Sequence, residues 1–313
     1  MRKCCLPLDI SRREFGLQTA VSIGAMALAG VKPSNLRADE NGSEFSLNYI
    51  LGSPMYGTAP LDEVLGEAAK IGAQTIDIWP RNHANHREQM DQLGFENVQD
   101  LLEKHDVQLG VITRYDLGPQ RIHSEIPVLS RFGGKLLVCG AGMSAGDTEK
   151  ERVQNFLKRL RPQLVEAEKH NVTIGIENHA GTLLSSPDSL RYFADHIESE
   201  HVGLALAPYH LPQDPQMIGD LIEHFASKLV FFQAWQHGMG CAKKLPKKEE
   251  LLQLPGRGPL DFCPIIAALR RINYQGWTEI FMHPVPRGIP ILPKTAEVTA
   301  EINRARSYLE TCL

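Results

Sequence analysis

Two glutamates, Glu177 in TIGIENH and Glu279 in WTEIFMH, each close a short apolar run late in the chain, and each run follows a long amphipathic segment. In barrels of alternating strands and helices the strand ends carry the reacting groups, while the strand bodies only fill the interior. A carboxylate at a strand end suits proton transfer or cation binding, so Glu177 and Glu279 are the expected catalytic pair. Other polar and aromatic residues cluster at comparable points: Asp77 and Trp79 in TIDIW, His179 just past Glu177, His210 in APYH, Gln233, Trp235 and His237 in LVFFQAWQH, and His283 just past Glu279. Four histidines near one set of strand ends favour a site, although a lone histidine there more often only makes a hydrogen bond.

These residues need elements to position them. After the first forty residues, strand-like runs alternate with amphipathic helical patterns to the end, without a linker or low-complexity break. The strands read SLNYILG, TIDIW, LGVITRY, LLVCG, TIGIENH, GLALA, LVFFQAW and WTEIFMH. Helices are expected over 59–72, 87–105, 118–134, 149–170, 186–197, 214–228, 260–273 and 294–311. Eight such units predict an α/β fold, a single (β/α)8 TIM barrel over residues 39–313. An open doubly wound sheet would carry a glycine-rich phosphate turn after its first strand; GAGMSAG, from Gly140 to Gly146, has the wrong spacing and follows the fourth.

Alternation along each strand sorts the side chains, since residues two apart share a face. Glu177 goes with Gly175 and His179, Gln233 with Phe231, Trp235 and His237, and Glu279 with Trp277, Phe281 and His283. The opposite faces are mostly apolar and belong against the helices, which puts the polar set inside. Gly203, Ala205 and Ala207 on the sixth strand leave room beside it. The HANH run with His83 and His86 lacks the helix-borne glutamate of a zinc protease and reads as surface loop. The long stretch from His237 to Leu260 is a candidate lid.

Residues 1–38 read as a twin-arginine export signal, with Arg12 and Arg13 ahead of an uncharged stretch from Leu17 to Gly30 that is short for a bilayer span. The expected location is therefore periplasmic or otherwise outside the cytoplasm, with no stable membrane insertion once the signal is removed. The remaining chain carries 27 basic and 35 acidic residues, a formal charge of −8. Nucleic acid is an unsuitable partner for that balance, because phosphate binding needs a basic field. Cys139, Cys241, Cys263 and Cys312 show no metal or redox spacing; Cys241 with Cys263 is one conceivable disulfide.

The chain resembles the xylose isomerase-like barrels, which include sugar phosphate isomerases, tagatose 3-epimerase and hydroxypyruvate isomerase. The resemblance covers nearly all of residues 39–313 and rests on IENH, APYH, PGRGPLDF and TEIFMH. It implies a small carbohydrate substrate, a homo-oligomer as one option, and a divalent metal (Mn, Mg, Co or Zn) on four side chains. The first and last ligand positions match Glu177 and Glu279, but the aspartate position falls on Ala207 and the histidine position on Gln233. The ligand set carried over is therefore Glu177, His210, Gln233 and Glu279, with Asp77, Trp79, His179, Trp235, His237 and His283 expected to contact substrate. The implied chemistry is isomerisation or epimerisation by proton abstraction next to a carbonyl, through an enediolate. The alternatives are a non-catalytic carbohydrate-binding barrel with a degraded metal site and a lyase acting on keto-glycosides.

Overall fold

Eight parallel strands close on themselves in chain order. They are β1 (Asn48–Gly52), β2 (Thr75–Ile78), β3 (Gln108–Thr113), β4 (Leu136–Gly140), β5 (Thr173–Glu177), β6 (Val202–Leu206), β7 (Leu229–Ala234) and β8 (Trp277–Ile280). The structure, a computed structural model, describes residues 45–313; the expected export signal lies outside the described residues. β8 returns to β1 with Asn48 opposite Trp277 and Ile50 opposite Glu279, which completes the expected TIM barrel.

The helices are α1 (Leu61–Leu65), α2 (His86–Leu93), α3 (Phe95–His105), α4 (Glu125–Arg131), α5 (Glu149–His170), α6 (Pro187–His196), α7 (Pro215–Phe225), α8 (Lys247–Glu250), α9 (Cys263–Arg271) and α10 (Thr295–Glu310). The single helix expected over 87–105 is two, because Gly94 takes φ +81, a backbone conformation that breaks the helical path and suits only glycine. The helix expected over 149–170 is present with those bounds. Thr148 accepts from the Glu151 N–H while Glu151 reaches back to the Thr148 N–H, and Asn171 in the left-handed region ends it.

Inside the barrel, Ile50, Val111, Leu136, Val138, Ala205 and Phe231 form one apolar cluster. A second, larger cluster lies between strands and helices. Burying each large apolar side chain contributes about 1.5–3 kcal/mol, so the strand bodies are fixed by packing and only their ends are available for chemistry. Several expected strands run on past the observed ladder: Trp79, Tyr115, His179, Trp235, Phe281 and His283 all follow the last paired residue of their strand. Free of the ladder, these side chains form the mouth.

The stretch from His237 to Leu260 is clamped, contrary to the lid expectation. Gln236 donates to the Leu254 carbonyl (2.9 Å) and accepts from the Leu260 N–H (2.7 Å), while Gln253 donates to the His283 carbonyl (2.9 Å). Buried amides therefore tie its later part, Gln253 to Leu260, to the ends of β7 and β8. Among the described residues no helix is long and apolar enough to cross a membrane.

The disulfide joins Cys263 at the start of α9 to Cys312 beyond α10, whereas Cys139 and Cys241 are buried free thiols. Cys241 is not paired with Cys263; its backbone N–H instead bonds the Tyr209 hydroxyl. The bond closes a span of 49 residues, and in the chain-entropy picture such a closure contributes about 2–4 kcal/mol. Reduction, or Cys312→Ser, is expected to lower the urea midpoint by a corresponding amount, read by circular dichroism; an unchanged midpoint would show that the crosslink carries no stability.

Candidate active site

At the C-terminal ends of the strands a cavity of about 270 Å³ opens, lined by Trp79, His83, Tyr115, Glu177, His179, Thr182, His210, Trp235, Phe281, His283 and Arg287, with Gly118, Pro119, Gly140 and Gly142 completing the wall. Its floor is aromatic. Trp79 stacks on Phe281 (5.0 Å), Phe281 meets Trp235 edge-on (4.8 Å), and Trp235 stacks on Tyr209 (3.9 Å). Tyr115 closes the β3 side against Trp79 (5.1 Å). Such faces suit the apolar C–H surface of a small ring and exclude water.

Glu177 is the one carboxylate among the lining residues. It is buried, and its Oε2 has no hydrogen-bond partner. Burial pushes its pKa up to about 8, with Tyr115 and Arg287 pulling the other way. A carboxyl poised there can take or give a proton at neutral pH.

Around it the imidazoles are neutral. Burial drives His83 down to about 3 and His283 to about 4, and lowers His179 and His210, with Arg287 adding to the effect in each case. The rings of His179 and His210 lie 3.9 Å apart. His179 Nδ1 is 2.7 Å from the Ala180 carbonyl, which only accepts, so Nδ1 carries the hydrogen and Nε2 keeps a lone pair. His210 Nδ1, His283 Nδ1 and Trp235 Nε1 are buried without partners.

Glu279 stands elsewhere. It does not line the cavity; it lies one side-chain layer deeper, at the level of Ile50 and Gln233, beneath Phe281. Gly52 makes room for it, since a Cβ on that residue would run into Glu279 Oε1. Its Oε2 accepts from Gln233 Nε2 (2.9 Å). Asp77, opposite the point where Gly110 is the extra residue of β3, lies at the same depth, where Oδ2 accepts from Trp79 Nε1 (2.6 Å) and Thr113 Oγ1 (2.7 Å). The two carboxyl groups lie close enough to interact, and Asp77 Oδ1 and Glu279 Oε1 are buried without a hydrogen-bond partner. Burial raises both pKa values and the mutual repulsion raises Glu279 further. The pair therefore holds a shared proton.

Of the residues expected from sequence, the cavity brings together Trp79, Glu177, His179, His210, Trp235 and His283. Asp77, Gln233 and Glu279 sit below it, and His237 is not among the lining residues; its backbone N–H donates to Gln213 Oε1 (2.8 Å). Four side chains of the lining, His83, Tyr115, Thr182 and Arg287, were not among the residues expected from sequence. His83 was assigned to a surface loop but packs against Trp79 (5.2 Å), while its neighbour His86 is buried with Nε2 2.9 Å from the Ala59 carbonyl. Tyr115 was legible, since Val111, Thr113 and Tyr115 alternate inward. Arg287 lies in an irregular loop with no periodic signal.

The donors do not fit the divalent ion that the resemblance implies. Ala207 offers a methyl group, and Asn178 ties down its N–H (2.7 Å) and carbonyl (3.0 Å). Gln233 presents an amide N–H₂ to Glu279, and Glu279 shares its proton with Asp77. Among the described residues no three of His, Cys, Asp and Glu converge as a metal-holding set.

The family model described as a xylose isomerase-like TIM barrel matches residues 65–307. The D-psicose 3-epimerase of Enterocloster bolteae is 28% identical over 123 residues, which are 38% of this chain and 36% of that protein, so the match spans little more than a third of the relative. The D-psicose 3-epimerase from Clostridium cellulolyticum H10, solved with D-tagatose, superposes with a TM-score of 0.64 at 14% identity, covering 85% of this chain and 99% of that one. The 3-keto-D-glucoside 4-epimerase from E. coli, in apo form, also gives 0.64 at 14%, covering 85% and 100%. At those identities the superpositions establish the fold.

Introducing Ala207→Asp with Gln233→His would complete the four-ligand set. The double variant, dialysed against Mn²⁺ and analysed by mass spectrometry, is expected to retain an ion that the native protein does not. A stoichiometric ion in the native protein would contradict this account of the site.

Proposed function

The chain belongs to the xylose isomerase-like TIM barrel family, and on that premise we propose that its cavity binds a small keto-sugar and that Glu177 moves the proton on the carbon next to the carbonyl. The observation that carries this reading is Glu177 itself: a buried carboxyl at the end of β5, lining the cavity, with a free Oε2 and a pKa near 8. The aromatic floor supports a sugar ring lying flat above Trp79 and Phe281. Negative charge that develops on the substrate oxygen would meet neutral donors, the Tyr115 hydroxyl and the His210 imidazole, which stabilise it without a full positive charge.

A second carboxylate on the opposite face would favour epimerisation. Glu279 does not reach the cavity, and across the mouth from β5 stand neutral His83 and His283. One base that removes a proton and returns it to the neighbouring carbon on the same face, while the hydroxyl proton passes between the two oxygens by way of the His210 imidazole, performs isomerisation, so aldose–ketose isomerisation is the better supported outcome. The rival reading is a carbohydrate-binding protein without turnover, favoured by Ala207 and Gln233 at two ligand positions. Incubation of ketoses in D₂O separates the two: label entering the carbon next to the carbonyl is expected with the native chain and not with Glu177→Gln. Binding without label in the native chain would establish the rival.

The same substitution has a stability signature. Glu177 would ionise near 4.5 in the unfolded chain and near 8 in the folded one. Between those values the folded state holds a proton that the unfolded state has lost, so stability falls as pH rises through that window. Glu177→Gln removes this penalty. Its Tm is expected to exceed the native value at pH 8 and to converge with it at pH 4; a native Tm that rises from pH 5 to 8 relative to the variant would contradict the raised pKa.

Export is part of the proposal. Arg12 and Arg13 ahead of an uncharged stretch support it, and the Cys263–Cys312 disulfide suits an oxidising compartment. Fractionation should place the native chain outside the cytoplasm and retain the variant with both arginines changed to lysine; equal distributions would remove the signal.

A further inference from the structure

We infer that the ligand of this cavity is an anionic monosaccharide, bearing a carboxylate or phosphate that faces Arg287 at the mouth while its carbonyl end faces Glu177. This rests on the carbohydrate reading given above and adds the charge of the substrate to it.

Arg287 lies in the loop between β8 and α10, four positions beyond His283, and lines the cavity although its residue is exposed. Several buried or half-buried arginines elsewhere have carboxylate partners: Arg87 and Arg114 on Glu125, Arg257 and Arg304 on Glu301, Arg306 on Glu310. Among the described residues Arg287 has neither an ion-pair nor a hydrogen-bond partner. A guanidinium held at a cavity mouth with its five donors unused matches a carboxylate or phosphate, which it can grip with two parallel hydrogen bonds.

Arg287 shares the cavity lining with His83 and His283 on the β2/β8 side and with Glu177, His179 and His210 on the β5/β6 side. The lining carries one carboxylate and one guanidinium, and they differ in depth. Glu177 is buried at its strand end, whereas Arg287 is at the open rim. A ligand with a carbonyl at one end and an anion at the other fits that polarity, and a neutral sugar leaves the rim charge unmatched. Buried nitrogens without partners, Trp235 Nε1 and His283 Nδ1, line the wall between. The volume of about 270 Å³ suits a monosaccharide rather than a chain of several sugars.

Isothermal titration of the native chain with a panel of ketohexoses, their uronates and their 6-phosphates, at low ionic strength, tests this. At least one anionic form is expected to bind roughly tenfold or more tightly than its neutral parent, with the advantage shrinking as salt is raised. Arg287→Ala should abolish that advantage, and Arg287→Lys should keep part of it. Preference for the uronate or for the phosphate identifies the source of the anion, and either supports the inference. Neutral ketohexoses binding as tightly as both anionic sets, or an advantage that survives Arg287→Ala, overturns it and leaves the carbohydrate reading intact. No binding by any member overturns both.

Discussion

Carboxyl groups that leave water must find a cation or keep their protons. This chain uses both solutions. Glu125 is buried between Arg87 (2.7 Å) and Arg114 (2.6 Å) and remains an ion-paired carboxylate that ties α4 to α2 and to the end of β3. At the ends of β2, β5 and β8 the barrel buries Asp77, Glu177 and Glu279 without comparable partners. An unpaired ion there would cost several kcal/mol, so these groups stay protonated or share a proton. In the metal-binding pattern that the resemblance implies, a divalent ion would meet this cost. Here Ala207 and Gln233 stand at two of those ligand positions, and burial raises the pKa of all three carboxyl groups.

The chemistry follows from depth. Asp77 and Glu279 lie beneath the Trp79–Phe281 stack, where their shared proton, the Gln233 amide and the Thr113 hydroxyl stiffen the floor. Glu177 emerges one level higher, with a free oxygen and neutral imidazoles beside it. In the proposed reaction, one carboxyl facing an aromatic surface would move the proton next to the carbonyl. The 237–260 stretch contributes no lining residue and is tied down by Gln236 and Gln253.

Much of this was legible in the sequence. Alternation placed Glu177, Gln233 and Glu279 on the inward face, and the eight runs gave the closed barrel. The amphipathic pattern over 149–170 matched α5, whose caps at Thr148 and Asn171 fix those bounds. What alternation cannot supply is height: residues two apart share a face, but the stagger of neighbouring strands decides which reaches the mouth. Glu279 and Glu177 therefore looked equivalent in sequence and differ by a layer in space. His83 and Arg287 sit on loops, whose path is set by local turns and packing rather than by a repeating period. The pairing of Cys263 with Cys312 depends on where the end of α10 passes α9, a tertiary fact with no sequence spacing to announce it.

The central claim is that Glu177 keeps its proton near neutrality because it is buried without a cation. Infrared difference spectroscopy of the protonated carboxyl stretch, recorded from pH 5 to 9.5 on the native chain and on Glu177→Gln, measures this directly. A band absent from the variant and titrating away near pH 8 is the predicted result. A Glu177 carboxylate already ionised at pH 5 would contradict the account.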